Sequence, residues 1–226
     1  MSLEKLDILA FGTHPGDVEY GMGGTLARYA DKQIRTGICD LTEAELSSEG
    51  TVAERKKEAT AASEVLGVNK RIFLDLPDRG LFVTASYLDR LISVIRKYRP
   101  EVVYCPADNP DHPDFESCAN LVKEAVYSAG IHKYEDSFRL PAHSVHHVYQ
   151  YITAPFQKPD MILDISGTIS RKEESLRAYH SCMNHAYIDL AFTREQLAGK
   201  AAGLAFAEGF KSPKPIELNE LPGEHK

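Results

Sequence analysis

Short apolar runs alternate with longer amphipathic segments, and this alternation restricts the fold more than any other feature of the chain. Leu6–Gly12, Arg35–Asp40, Arg71–Leu74 and Glu101–Cys105 read as strands. Between them, Met22–Lys32, Val52–Leu66 and Tyr87–Tyr98 carry apolar residues at helical spacing, as in Leu88, Leu91, Ile92 and Ile95. Phe115–Ala129 reads as a further helix. The pattern predicts βαβ units, hence an α/β fold with a Rossmann-like, mostly parallel sheet flanked by helices.

After Gly130 the pattern loosens. Residues 131–145 read as a loop, Val145–Ile152 and Met161–Ile165 as strands, and 168–183 and 190–206 as helices. Phe210–Lys226 reads as a polar tail. The expected organisation is one domain over residues 1–210 followed by a tail at 211–226, a size that suits a chain of 226 residues.

Charge and composition exclude several partners. The net charge is −7 and no basic block occurs, which argues against nucleic acid or an anionic membrane surface. No apolar run approaches the ~18–20 residues of a membrane span. The opening Met1–Asp7 is too polar for a signal peptide. The cysteines, Cys39, Cys105, Cys118 and Cys182, form no C-x-x-C pair, and Cys39 and Cys105 sit in apolar runs that suit buried thiols. A cytoplasmic protein with reduced thiols is the expectation.

Four polar loops, 12–21, 40–51, 75–80 and 106–114, each follow a strand. Open α/β sheets bind ligands at the carboxyl ends of their strands, so these loops should converge on one site. The first places His14 and Asp17 three residues apart around Pro15, a pair suited to zinc if a third ligand comes from elsewhere. Asp17 could equally cap the next helix, and Glu19 suits a supporting or capping role. Asp108–Phe115 holds three Asp and one His in eight residues. There His112 and Asp114 could form a relay in which the carboxylate orients the imidazole, or Asp114 could simply cap a helix. Gly21-Met-Gly-Gly24 does not match G-x-G-x-x-G, so close helix packing is a better reason for these glycines than dinucleotide binding.

Gly12-Thr-His-Pro-Gly-Asp-Val-Glu19, followed by Gly21-Met-Gly-Gly-Thr25, resembles the signature of the LmbE-like (PIG-L) N-acetylglucosaminyl deacetylases. Asp40–Thr51, Glu54–Ala59, Leu76-Pro-Asp-Arg-Gly-Leu81, Ser128–Tyr134 and Ala207–Phe210 resemble the bacillithiol-biosynthesis branch. The resemblance implies the LmbE-like deacetylase fold, zinc-assisted removal of an N-acetyl group from a small amino-sugar substrate, and a homo-oligomer. It implies zinc ligation by His14 and Asp17. The family turn reads His-Pro-Asp-Asp, whose first Asp is the general base, and that position is Gly16 here. The later motif reads His-Pro-Asp-His, whose last His is the third ligand. Ungapped alignment puts Phe115 there, with His112 and Asp114 kept. In a register shifted by three, Asn109-Pro-Asp-His112 supplies His112 as the third ligand.

The resemblance also matches Arg55 to an arginine near the substrate and Tyr187 to a tyrosine that donates to the oxyanion. Asp78 and Arg79 lie on a site-facing loop and are expected at the substrate. The segment between Met183 and Tyr187 is shorter than in the family. Two departures at chemical positions leave two expectations open: a deacetylase with a degenerate site, or a non-catalytic relative that binds a sugar-like ligand or a partner without zinc.

Overall fold

The structure, a computed structural model, describes residues 3–215. Strands β1 (Ile8–Gly12), β2 (Thr36–Thr42), β3 (Lys70–Leu76), β4 (Val102–Pro106), β5 (His147–Tyr151), β6 (Met161–Asp164) and β7 (Ala207–Lys211) form one sheet in the order β3-β2-β1-β4-β5-β7-β6. The first five pair in parallel, and β7 is antiparallel to both its neighbours. The helices are α1 (Asp17–Asp31), α2 (Val52–Leu66), α3 (Ala85–Tyr98), α4 (Asp114–Ala129), α5 (Ile169–Arg177) and α6 (His185–Lys200).

The central strand β1 is buried along its whole length. Its side chains alternate between two cores. Leu9 and Phe11 face one core with Leu91, Ile95 and Leu121 of α3 and α4. Ile8 and Ala10 face the other with Val18, Met22 and Leu26 of α1. Helices cover both faces, which is why the strand reads as a continuous apolar run.

The chain leaves β1 toward β2 and β3 on one side, then returns to place β4 on the other. The β1/β4 boundary is therefore the topological switch point, where the loops following two adjacent strands diverge and leave a crevice. The turn bearing His14 follows β1 and the loop bearing His112 follows β4, so topology alone brings those two motifs together.

Helix α1 starts at Asp17 rather than at the expected Met22. Met22 itself is non-helical (φ −148°, ψ 25°), which divides the element in two. The buried start of the second segment is capped: the Glu208 carboxylate accepts from the backbone N–H of Gly24 (2.9 Å) and Thr25 (2.7 Å). Gly21 is required for packing, because a Cβ there would lie 2.2 Å from the Tyr151 ring.

Glu208 belongs to β7, which corrects the expectation of a polar tail from Phe210. Ala207–Lys211 shows no apolar alternation; pairing with β5 on one edge and β6 on the other imposes its extended form. Lys211 is part of this strand, so the sheet crosses the expected boundary at 210/211, and residues 216–226 of the tail lie outside the described residues. The first C-terminal helix ends earlier than expected, at Arg177, and the second is displaced, running over His185–Lys200 rather than 190–206. Asn184 accepts from the Tyr187 N–H (2.9 Å) and starts α6 at His185, which leaves 178–184 as a loop. Among the described residues no helix is long and apolar enough to cross a membrane.

Beneath α1, Lys172 Nζ donates to Glu195 and Glu208 at 2.7 Å each, and all three side chains are buried. Arg194 joins through Glu195 at 2.6 Å, giving two positive and two negative groups. Replacing one member leaves buried charge uncompensated. Lys172→Met should therefore lower stability by roughly 3–5 kcal/mol in urea denaturation. A loss below about 1 kcal/mol would contradict this account of the network.

Candidate metal centre and active-site cleft

A cleft of about 580 Å³ opens at the carboxyl ends of β1 and β4. All four polar loops reach it, represented by His14, Ser47, Asp78 and His112, and the α5–α6 loop adds Cys182 and Met183.

His14 is pinned from two sides. The Asp17 carboxylate accepts from the His14 backbone N–H at 2.8 Å and lies 3.2 Å from Nδ1. Asp78 lies 3.0 Å from Nε2. Burial by itself would lower the imidazole pKa, but the two carboxylates outweigh it and raise the value from 6.5 to about 10. The hydrogen bond from His14 in turn holds the Asp78 carboxyl below its usual range.

One ligand atom from each of His14, His112 and Asp114 lies within 4.8 Å of the others. The His14 and His112 rings meet edge to face with centroids 5.0 Å apart. His112 Nδ1 and Asp114 Oδ2 are buried without a hydrogen-bond partner. The other Asp114 oxygen accepts from Arg79 at 2.9 Å. The expected His112–Asp114 relay is thus not a hydrogen-bonded pair; the two side chains instead share one cluster with His14. Asp114 is also not the cap of α4, since Pro113 precedes the helix and Asp114 is its first residue. Of the ligands expected from the sequence, His14 and His112 enter the cluster. Asp17 stays outside it, bonded to His14.

The loop after β3 divides its two charges between two partners. Asp78 bonds His14 and Arg79 bonds Asp114, so both expected substrate-binding residues already hold candidate ligands. Arg55, buried on α2, lines the cleft and donates to Ser47 Oγ (2.9 Å) and the Glu49 carbonyl (3.2 Å). Tyr187 also lines the cleft, and burial pushes its phenol pKa up, so it stays protonated near neutrality.

The two unusual positions have been filled. Phe115 lies in the first turn of α4, almost fully buried, with its ring 5.3 Å from that of His112. Gly16 has φ +109°, a conformation that disfavours side chains, and a Cβ added there would lie 2.5 Å from Met183 Cε. The Met183 side chain therefore occupies the start of the volume that a carboxylate at position 16 would need. The sequence reading missed Met183, because nothing local in the chain links it to a turn 167 positions earlier. Tyr20, stacked on Tyr187, was also missed, because it falls in the loop 12–21, where only polar residues were singled out.

The family model described as GlcNAc-PI de-N-acetylase (PIG-L) matches residues 9–126. The chain is 30% identical to a diacetylchitobiose deacetylase from Thermococcus kodakarensis over 96% of its own length and 87% of that protein. It is 26% identical to a probable N-acetyl-alpha-D-glucosaminyl L-malate deacetylase from Bacillus subtilis, covering 78% of this chain and 83% of the relative. The solved structure of the conserved protein TT1542 from Thermus thermophilus superposes with a TM-score of 0.90 at 33% identity, covering 98% of this chain and all of that one. The chain belongs to the PIG-L, or LmbE-like, deacetylase family.

The His14 environment makes a prediction for protein stripped of divalent metal. A histidine whose folded pKa is raised from 6.5 to about 10 contributes stability that is fully present below about 6.5. That contribution disappears as pH rises through about 10. NMR titration should find the His14 midpoint well above the ordinary imidazole value of 6.5, and Asp78→Asn should lower it. A midpoint near 6.5 in the parent would show that the two carboxylates do not hold the proton.

Proposed function

We propose that this chain is an amino-sugar N-deacetylase of the bacillithiol-biosynthesis type, with a rearranged set of metal ligands. The observation that carries the reading is the pair of partnerless buried atoms, His112 Nδ1 and Asp114 Oδ2, clustered with His14 at the switch point. Buried polar groups rarely lack partners. One divalent cation would satisfy both, and two imidazoles with a carboxylate form a donor set that zinc accepts. Zinc held there would polarise an amide carbonyl and acidify a water molecule.

In this reading Asp114 supplies the ligand lost at Phe115, and Asp17 orients His14 through its other nitrogen. The same site assigns the remaining side chains. The Tyr187 hydroxyl, protonated at neutral pH, donates to the oxyanion that forms on the amide. Arg55 supplies a fixed positive charge for an anionic substituent of the substrate. Asp78 occupies His14 Nε2 in the metal-free protein and would release that nitrogen to the cation, while Arg79 holds Asp114. The ligand is a small amino sugar, with nucleic acid and membrane excluded as partners, and the chain works as a homo-oligomer within a single domain.

A second reading has its own support. Gly16 offers no proton acceptor, and losing a general base typically costs ~10²–10⁴ in rate. With Phe115 also lost as a ligand, the cleft would bind a sugar-like molecule without turning it over.

Elemental analysis of zinc-loaded protein decides between the two. About one zinc per chain, lost in Asp114→Asn, supports the enzyme; no retained zinc supports the binding module. A gain-of-function variant tests the lost base. Gly16→Asp alone should gain less, because Met183 Cε must first move from the space of the new side chain. Gly16→Asp combined with Met183→Ala and Phe115→His should raise hydrolysis of N-acetylglucosaminyl glycosides ~10²–10⁴-fold over the parent. A parent already as fast as this triple variant would show that neither Gly16 nor Phe115 limits the reaction.

A further inference from the structure

One cleft wall carries a layered aromatic arrangement that no metal chemistry requires. The Tyr187 ring stacks on Tyr20 with centroids 4.4 Å apart and planes 25° apart. The Arg194 guanidinium lies 4.5 Å from the centroid of the same Tyr20 ring. Two groups cannot share one face of a ring at such distances, so they cover opposite faces. The order is Arg194, Tyr20, Tyr187, and both tyrosines line the cleft. Tyr20 is 3% exposed and Tyr187 is 42% exposed.

The stack is held from behind. Arg194 donates to the carbonyls of Thr153 (2.6 Å) and Tyr20 (2.7 Å) and to Glu195 (2.6 Å). From the other side, Asn184 fixes the first turn of α6 on the Tyr187 N–H. Tyr187 therefore presents a flat, pre-positioned face, and little entropy is lost when a ligand settles on it.

We propose that this outer face of Tyr187 is the platform on which the sugar ring of the ligand stacks. The inference rests on the amino-sugar reading above and deepens it. A pyranose carries its C–H bonds on its faces and its hydroxyls around its rim. An aromatic face is apolar and electron-rich and suits the C–H face, while Arg55, Asp78 and Asp111 supply polar partners for the rim in the same cleft. The expected oxyanion role of Tyr187 uses its hydroxyl, whereas the platform uses its ring, so the two roles separate by substitution.

The probe is methyl N-acetylglucosaminide. The chain has no tryptophan, so Tyr187→Trp places the sole indole on the platform. Binding of the sugar to this variant should produce a saturable change in indole emission. In the parent, saturation-transfer NMR with aromatic irradiation should label the protons of one pyranose face most strongly. Affinity should stay within about twofold in Tyr187→Phe and fall about tenfold in Tyr187→Leu, with folding of each variant checked by its melting midpoint. Equal transfer to both faces overturns the platform. So does a Tyr187→Leu variant that binds as the parent does, or an equally large loss in Tyr187→Phe. If the parent binds no sugar at all, the amino-sugar reading fails first and the platform falls with it.

Discussion

The Arg71 guanidinium is the point on which the site end of the sheet depends. It is almost fully buried and reaches four other elements at once. Its Nε and one terminal nitrogen hold Asp40 of β2 at 2.7 and 3.0 Å. Another nitrogen meets Glu19 of α1 and donates to the Ala59 carbonyl and Ser63 Oγ of α2. The Tyr179 hydroxyl, from the loop after α5, donates to Glu19 at 2.7 Å and lies 3.3 Å from Arg71. One positive and two negative groups in a dry interior are costly unless each is multiply bonded, and here the planar, forked donor set of arginine provides those bonds. The turn carrying His14, Gly16 and Asp17 runs directly into the helix that Glu19 anchors. The same cluster fixes the loop that delivers Met183 to Gly16.

That shared anchoring links the two positions at the centre of the cleft. Position 16 carries no side chain, and Met183 lies in the adjoining volume. Position 115 carries a phenyl ring that packs beside His112. Asp114, one residue from Phe115 on the same first turn of α4, places a carboxylate oxygen in the cluster with His14 and His112. His14, His112 and Asp114 form a metal-type cluster from two loops, whereas position 16 carries no proton acceptor.

Much of the fold was legible in the chain. Strands buried on both faces give continuous apolar runs, and α2, α3 and α4 carry apolar residues at helical spacing, so β1–β4 and these helices were readable close to their true limits. The motifs at the switch point were readable for the same reason: His14 and His112 follow the two strands on either side of it. Elements held by distant partners were not. β7 exists because two strands flank it, and the break at Met22 is stabilised by a carboxylate 186 residues away. At the site, residue types and loops could be read, but the division of labour could not. Whether a carboxylate binds a metal, a histidine or an arginine depends on ångström-scale choices between Asp17, Asp78 and Asp114, and the sequence supplies all three on converging loops.

The loop after β3 shows how those choices are balanced. Asp78 and Arg79 are adjacent, carry opposite charges, and hold His14 and Asp114 respectively. Arg79 has φ +57°, a left-handed backbone unusual for a residue with a side chain, and it allows the two consecutive side chains to reach different partners. The carboxylates that favour a proton on His14 also favour a cation nearby, so proton and metal compete for the same imidazole. Arg79 opposes the cation by its charge and assists it by orienting Asp114 with one oxygen engaged and the other free. A cation in a site built this way would be held only as strongly as the balance of these neighbours allows, and the balance is set by a loop outside the His14–His112–Asp114 cluster.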